Sequence, residues 1–289
     1  MSLDSTYRSL DGLSVGDALG AQFFIVGRSL RALIAGNPPA GPWEWTDDTE
    51  MACNLVTELR DHGSVDQDRL AALFADRCEP YRGYGAGAFT ILHKIRKGVP
   101  WRDAAGAAFN GQGSCGNGAA MRVAPLGVFF ADDLDKVVEQ ATVSAEVTHL
   151  HPEGVTSAVA VARAAAIAAT FRPRPRDFID QVLDGLPKGF TLQGIRRARA
   201  LIGKSVAEAA YELGNGSRVT AQDTVPFAMW VAATYLDDYP SAIVSCVEAG
   251  GDVDTTAAIV GGIVAVRGEV PERWLRSREP LPDWAVAGQ

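Results

Sequence analysis

Gly250-Gly251-Asp252-Val253-Asp254-Thr255-Thr256 runs directly into the apolar stretch Ala257 to Val266. A helix that is apolar on every side has no face to offer water, so this one must be buried. The two carboxylates at its mouth are then close to the interior, where an unpaired charge is prohibitively costly. Neither Lys nor His stands beside them, so a bound cation is the expected partner. The preceding glycines permit unusual backbone angles and close approach.

The pattern occurs twice. Trp45-Thr46-Asp47-Asp48-Thr49-Glu50-Met51 again sets two carboxylates between hydroxyls, just before the helical run Met51 to Arg60. Read alone, this segment is an N-cap with an acidic first turn, a device that stabilises a helix by roughly 0.5–2 kcal/mol. Paired with the first segment it becomes half of a ligand set. Carboxylates and hydroxyls are hard oxygen donors, which suit Mg, Mn or Ca rather than Zn or Cu. Two such clusters hold enough oxygens for a two-metal site.

Outward from these clusters, apolar residues recur at helical spacing, as at Leu55 and Leu59, at Leu70, Leu73 and Phe74, and through Ala158 to Ala169. Alternating strand patterns are scarce. Gly and Pro punctuate the chain at Gly36 to Pro42, Gly111 to Gly118, Pro173 to Pro175, Gly214 to Gly216 and Gly250 to Gly251, which predicts ten or more helices. No break resembles an interdomain linker and no fixed repeat is present, so residues 1–289 are expected to form one all-α domain. The Gly36 to Pro42 stretch reads either as a connector or as a lid.

Of the 289 residues, 47% are hydrophobic and 21% charged, a composition that builds a packed core. A net charge of -8 argues against a broad nucleic-acid-binding face. Cys53, Cys78, Cys115 and Cys246 are widely spaced, with no CxxC pair, and read as free thiols of a reducing compartment. The N-terminal residues lack an apolar signal core, and no apolar stretch reaches the roughly 18 residues needed to span a bilayer. A cytoplasmic monomer with no membrane partner is the expectation.

The glycine-rich stretch Gly111 to Arg122 reads either as a loop and helix start or as a nest whose N–H groups approach a phosphate or ribose, with Asn117 as an orienting donor. It is neither a Walker loop nor a GxGxxG turn after a strand. His149 reads either as a satisfied core histidine or as a donor to a ribose or phosphate oxygen. No Gly-x-Ser-x-Gly elbow is present, so metal-assisted hydrolysis fits better than serine-hydrolase chemistry.

Five motifs in order, Gly16-Asp17-Ala18-Leu19-Gly20, Thr46-Asp47-Asp48-Thr49, Arg82-Gly83-Tyr84-Gly85-Ala86-Gly87, Gly116-Asn117-Gly118-Ala119-Ala120-Met121-Arg122 and Gly251-Asp252-Val253-Asp254-Thr255, resemble those of the ADP-ribosylglycohydrolases. Leu213-Gly214-Asn215-Gly216 and Val225-Pro226 look most like the serine-type branch. The resemblance implies a compact, single-domain orthogonal helical bundle with two Mg2+ ions, Mn2+ being an alternative. It implies Thr46, Asp47, Asp48, Asp252, Asp254 and Thr255 as metal ligands, and Gly83, Gly85, Ser114, Cys115, Gly116, Asn117 and His149 around the diphosphate and riboses. Phe109 matches an aromatic near the adenine. The implied reaction is hydrolysis of the glycosidic bond between ADP-ribose and a protein side chain, a nucleic-acid phosphate or an O-acetyl group.

Two departures accompany the match. Phe24 stands where the serine-type branch has a glutamate, and Gly87-Ala88-Phe89-Thr90 lacks the aspartate of arginine-type relatives, which leaves Asp48 and Asp254 as candidate catalytic carboxylates. Cys115 replaces an adenine-stacking tyrosine. A catalytically silent ADP-ribose-binding module is therefore the second expectation, and a two-metal phosphohydrolase the third.

Overall fold

Thirteen residues of the helix Leu3–Ala21 are buried, and among the described residues it packs along the helix Val253–Val264 more extensively than any other pair of helices does.

 The computed structural model describes residues 3–286. Here α1 is Leu3–Ala21, α2 Asp47–His62, α3 Ala124–Phe129, α4 Pro152–Thr170, α5 Ala221–Thr234 and α6 Val253–Val264.

Glycine decides how closely α1 and α6 approach. A Cβ at Gly16 would overlap the carbonyl oxygen of Ala257, and one at Gly20 would lie 2.8 Å from Asp254 Cα. The two backbones therefore touch, and Ser9 Oγ fastens the contact by donating to Gly262 O (2.7 Å), while Tyr239 Oη of the neighbouring helix Tyr239–Ala249 donates to Gly12 O (2.6 Å). Helix α6 is buried along almost its whole length, as its apolar run from Ala257 requires.

The other long apolar helix, α4, packs against α3, the helix Leu134–Glu146, α5 and α6. Its alanine-rich surface lets neighbours come close, and a Cβ at Gly127 would overlap the Ala162 carbonyl. One cluster of buried apolar residues runs from Val15 to Trp274 and takes in both α4 and α6.

Among the described residues the regular elements are helices, with no β-strand; isolated bridges join Trp43 to Arg278 and Gly116 to Thr220. The fold is the all-α bundle expected from the sequence. None of the described helices is long and apolar enough to cross a membrane.

The end of the Gly36 to Pro42 stretch meets the C-terminal segment. Gly41 packs on Ser277, Trp43 N donates to Ser277 O (2.6 Å), and Glu279 N donates to Trp43 O (2.8 Å). This tie to the C-terminal segment holds the strand-like entry into Thr46.

Candidate active site

The close α1–α6 packing brings three carboxylates together. Asp17 lies inside α1, Asp48 in the first turn of α2 and Asp254 in the first turn of α6, and one ligand oxygen from each falls within 4.8 Å of the others. Asp17 is fully buried and Asp48 nearly so. The sequence reading gave Asp17 no role. Its signal was an acid within the buried run Leu13 to Gly20, whose other residues are apolar, Gly or Ser.

Thr46 is the N-cap of α2, so the capping expectation holds, but the hydrogen bonds go further. Asp17 Oδ2 accepts from Thr46 N (2.9 Å), Thr49 N (3.2 Å) and Thr49 Oγ1 (2.5 Å). Thr46 Oγ1 stands 2.8 Å from Asp17 Oδ1 and 2.9 Å from Asp48 Oδ2. A hydroxyl has one proton and cannot donate to both carboxylates. Asp48 Oδ1 is buried with no hydrogen-bond partner. An orphaned carboxylate oxygen, beside a second that competes for one proton, fits a hard cation.

Electrostatics agree with the geometry. Burial pushes the Asp48 carboxyl well above its usual range, and Asp17, Asp254, Asp47 and Asp252 push it further; these charges are all negative. Asp254 is raised well above its ordinary value, first by burial and then by Asp252 and Asp17. Asp47 is pushed up to about 7 by burial and by the charge of Asp17.

On the α6 side, Asp252 is the N-cap residue yet makes no side-chain capping bond. Its Oδ2 accepts from Asn117 Nδ2 (2.6 Å), which also donates to Thr224 Oγ1 (3.0 Å). Both amide protons of Asn117 are thus used within the protein, and the expected orienting donor orients Asp252. Thr255 N donates to Asp254 Oδ1 (2.8 Å), and Thr255 Oγ1 lies 3.5 Å from Asp48 Oδ2.

These acids form the floor of a cleft of about 530 Å³ whose walls include Gly83, Gly85, Phe109, Ser114, Cys115, Gly116, Asn117 and His149. The sequence-predicted residues are therefore brought together, with Asp47, Asp48, Asp252, Asp254 and Thr255 also lining the cleft. Thr46 sits behind that lining, bonded to Asp17 and Asp48. The glycine-rich stretch is less open than a nest requires. Gly116 N donates to Ser114 Oγ (3.1 Å) and Asn117 N donates to Val219 O (3.3 Å).

Two residues beyond the predicted set clamp the Thr46–Thr49 segment. Arg82 stacks on Trp45 with 3.2 Å to the ring centroid, donates to Trp45 O (3.0 Å) and forms a two-point ion pair with Glu279. Tyr84 Oη donates to Glu50 Oε2 (2.6 Å). Their motif was visible in the sequence, but the partners are remote in the chain. Phe24, by contrast, is 54% exposed and lies outside the cleft lining.

Backbone strain gathers at the cleft. Phe109 (φ 51), Asn110 (φ 60) and Val219 (φ 55) are left-handed without being glycine, and Phe109 and Val219 line the cleft. For a β-branched residue this conformation costs roughly 1–2 kcal/mol. Val219→Gly is expected to raise the unfolding free energy by about 1 kcal/mol in urea denaturation. An unchanged midpoint would show that Val219 is not strained in solution.

The family model described as ADP-ribosylglycohydrolase matches residues 2–287. An uncharacterised protein of Archaeoglobus fulgidus is 32% identical over 95% of this chain and 92% of its own length. Human ADP-ribosylhydrolase ARH3 is 31% identical over 85% of this chain and 77% of its own. A solved structure described as an ADP-ribosylglycohydrolase-related protein complex superposes with a TM-score of 0.71 at 25% identity, covering 96% of this chain and 93% of that one.

Proposed function

Because the chain belongs to the ADP-ribosylglycohydrolase family and is a glycosidic-bond hydrolase, we propose that it releases ADP-ribose from an acceptor in a reaction that depends on two divalent ions, Mg2+ or Mn2+. The observation that carries this reading is the convergence of Asp17, buried beneath the cleft, with the cleft-lining Asp48 and Asp254, the negative charges of Asp17, Asp254, Asp47 and Asp252 all acting on Asp48. Thr46, Asp47, Asp48, Asp252, Asp254 and Thr255 are the proposed ligands, to which the geometry adds Asp17. When bound, such ions supply Lewis acidity that orients ribose hydroxyls and polarises water.

The remaining work falls to the chain. Glycoside cleavage passes through an oxocarbenium-like state at the anomeric carbon, which needs a held sugar and a base for the attacking water. Asp48 and Asp254 are the carboxylates proposed to take that proton, since Phe24 supplies none. Gly83, Gly85, Ser114, Cys115 and Gly116 are proposed to border the diphosphate and riboses, Asn117 to hold Asp252, His149 to donate to the ligand, and Phe109 to pack on the adenine.

The purified protein should release ADP-ribose from at least one of serine-linked, arginine-linked, DNA-phosphate-linked and O-acetyl ADP-ribose when Mg2+ or Mn2+ is present, and lose that activity in chelator. The productive member of the panel identifies the acceptor. Release that persists undiminished in chelator would overturn the metal dependence, and binding of ADP-ribose with no turnover on any substrate would overturn the hydrolase reading.

A further inference from the structure

Behind the cleft wall lies Arg122, fully buried and without a carboxylate among its hydrogen-bond partners. Its Nη1 donates to Gly118 O (3.1 Å), and its Nη2 donates to Ser144 O (2.9 Å) and to Thr148 Oγ1 (3.0 Å). Thr148 Oγ1 in turn stands 2.7 Å from His149 Nδ1. We infer that Arg122 and Thr148 are positioning residues that fix His149 in the tautomer carrying its proton on Nε2, so that the ring presents a neutral N–H donor to the cleft.

The direction follows from counting protons. A guanidinium only donates, so Thr148 Oγ1 accepts from Arg122. The hydroxyl keeps one proton, and His149 Nδ1 is the acceptor within reach. If Nδ1 carried the proton instead, Oγ1 would accept twice and its own proton would be buried without a partner, the more costly arrangement. A neutral ring with an accepting Nδ1 carries its proton on Nε2.

That edge of the ring faces the two cleft-lining glycines. A Cβ at Gly116 would lie 3.4 Å from His149 Nε2 and one at Gly118 3.2 Å, so only glycine leaves the donor uncovered. Burial and the nearby Arg122 charge lower the His149 pKa to about 3, which keeps the ring neutral at ordinary pH. The matching ligand is an oxygen acceptor such as a diphosphate or ribose oxygen. Assignment to ADP-ribose rests on the function proposed above, whereas the tautomer does not.

The test is nitrogen-15 correlation spectroscopy of histidine-labelled protein in Mg2+, with the His149 signals identified by their loss in His149→Gln, alongside calorimetric titration of ADP-ribose. The wild type should show an Nε2–H ring that does not titrate near pH 6.5. Thr148→Val should lose the tautomer preference and weaken ADP-ribose binding roughly tenfold, and Thr148→Ser should restore both. Thr148→Ala makes the same comparison if the valine variant does not fold. An Nδ1–H ring in the wild type, or a tautomer and affinity unchanged by valine or alanine, would overturn the relay. An Nε2–H ring with no ADP-ribose binding would leave the relay standing and overturn the proposed ligand.

Discussion

Asparagine at position 48 is expected to cut ADP-ribose release by roughly 10²–10³-fold or more while making the metal-free protein harder to unfold. The two effects have one origin. Asp48 is 2% exposed, its Oδ1 has no hydrogen-bond partner, and its Oδ2 competes with Asp17 for the single Thr46 hydroxyl proton. Without a cation this is like-charge repulsion in a dry site, and asparagine removes one charge while filling nearly the same volume. A gain of about 1–3 kcal/mol in chelator is the expected size. Added Mg2+ should stabilise the wild type and do much less for Asp48→Asn, because binding to the folded state alone raises stability by mass action. Thermal unfolding with and without Mg2+ makes the comparison. A variant that is less stable than wild type in chelator, yet equally stabilised by Mg2+, would show that Asp48 is a structural acid and no ligand.

Alanine at position 16 should be among the most damaging single methyl groups in the chain. Its Cβ would overlap the Ala257 carbonyl, and backbone cannot rotate aside as a flexible side chain can. A loss of about 3 kcal/mol or more in denaturant unfolding is expected, with α1 forced away from α6. The same displacement separates Asp17 from Asp254, so Mg2+-induced stabilisation should fall together with fold stability. Gly63→Ala is the matching control, since nothing lies within 4 Å of a Cβ there and only its left-handed φ of 72 is strained. It should lose roughly 1–2 kcal/mol and keep its response to Mg2+. Equal losses of metal response in both variants would contradict a specific α1–α6 contact.

Much of the candidate site was legible because its residues are contiguous in sequence. A carboxylate pair at the mouth of an all-apolar helix can be recognised from Asp252 to Val266 alone, and its double at Asp47 and Asp48 follows the same logic. Asp17 was harder, because a single acid inside a helix becomes a ligand candidate only when α2 and α6 arrive beside it. The roles of Asn117, Arg82 and Tyr84 were hidden for a related reason. Each is defined by a partner far along the chain, Asp252, Glu279 and Glu50 respectively. Of the two readings of Gly111 to Arg122, the nest loses the N–H groups of Gly116 and Asn117 to Ser114 and Val219, acceptors that local sequence does not reveal.

By itself, then, the sequence determined that the chain is helical, that two acidic clusters open onto buried helices, and that hard oxygen ligands dominate them. These follow from periodicity and side-chain chemistry, which act over a few residues. Tertiary structure alone decided which oxygens converge, which hydroxyl proton is contested and which nitrogen of His149 carries its hydrogen. Those outcomes depend on contacts between residues such as Asp17 and Asp254, or Arg122 and Thr148, whose distances are set by close-packed helices and by glycines that let backbones touch.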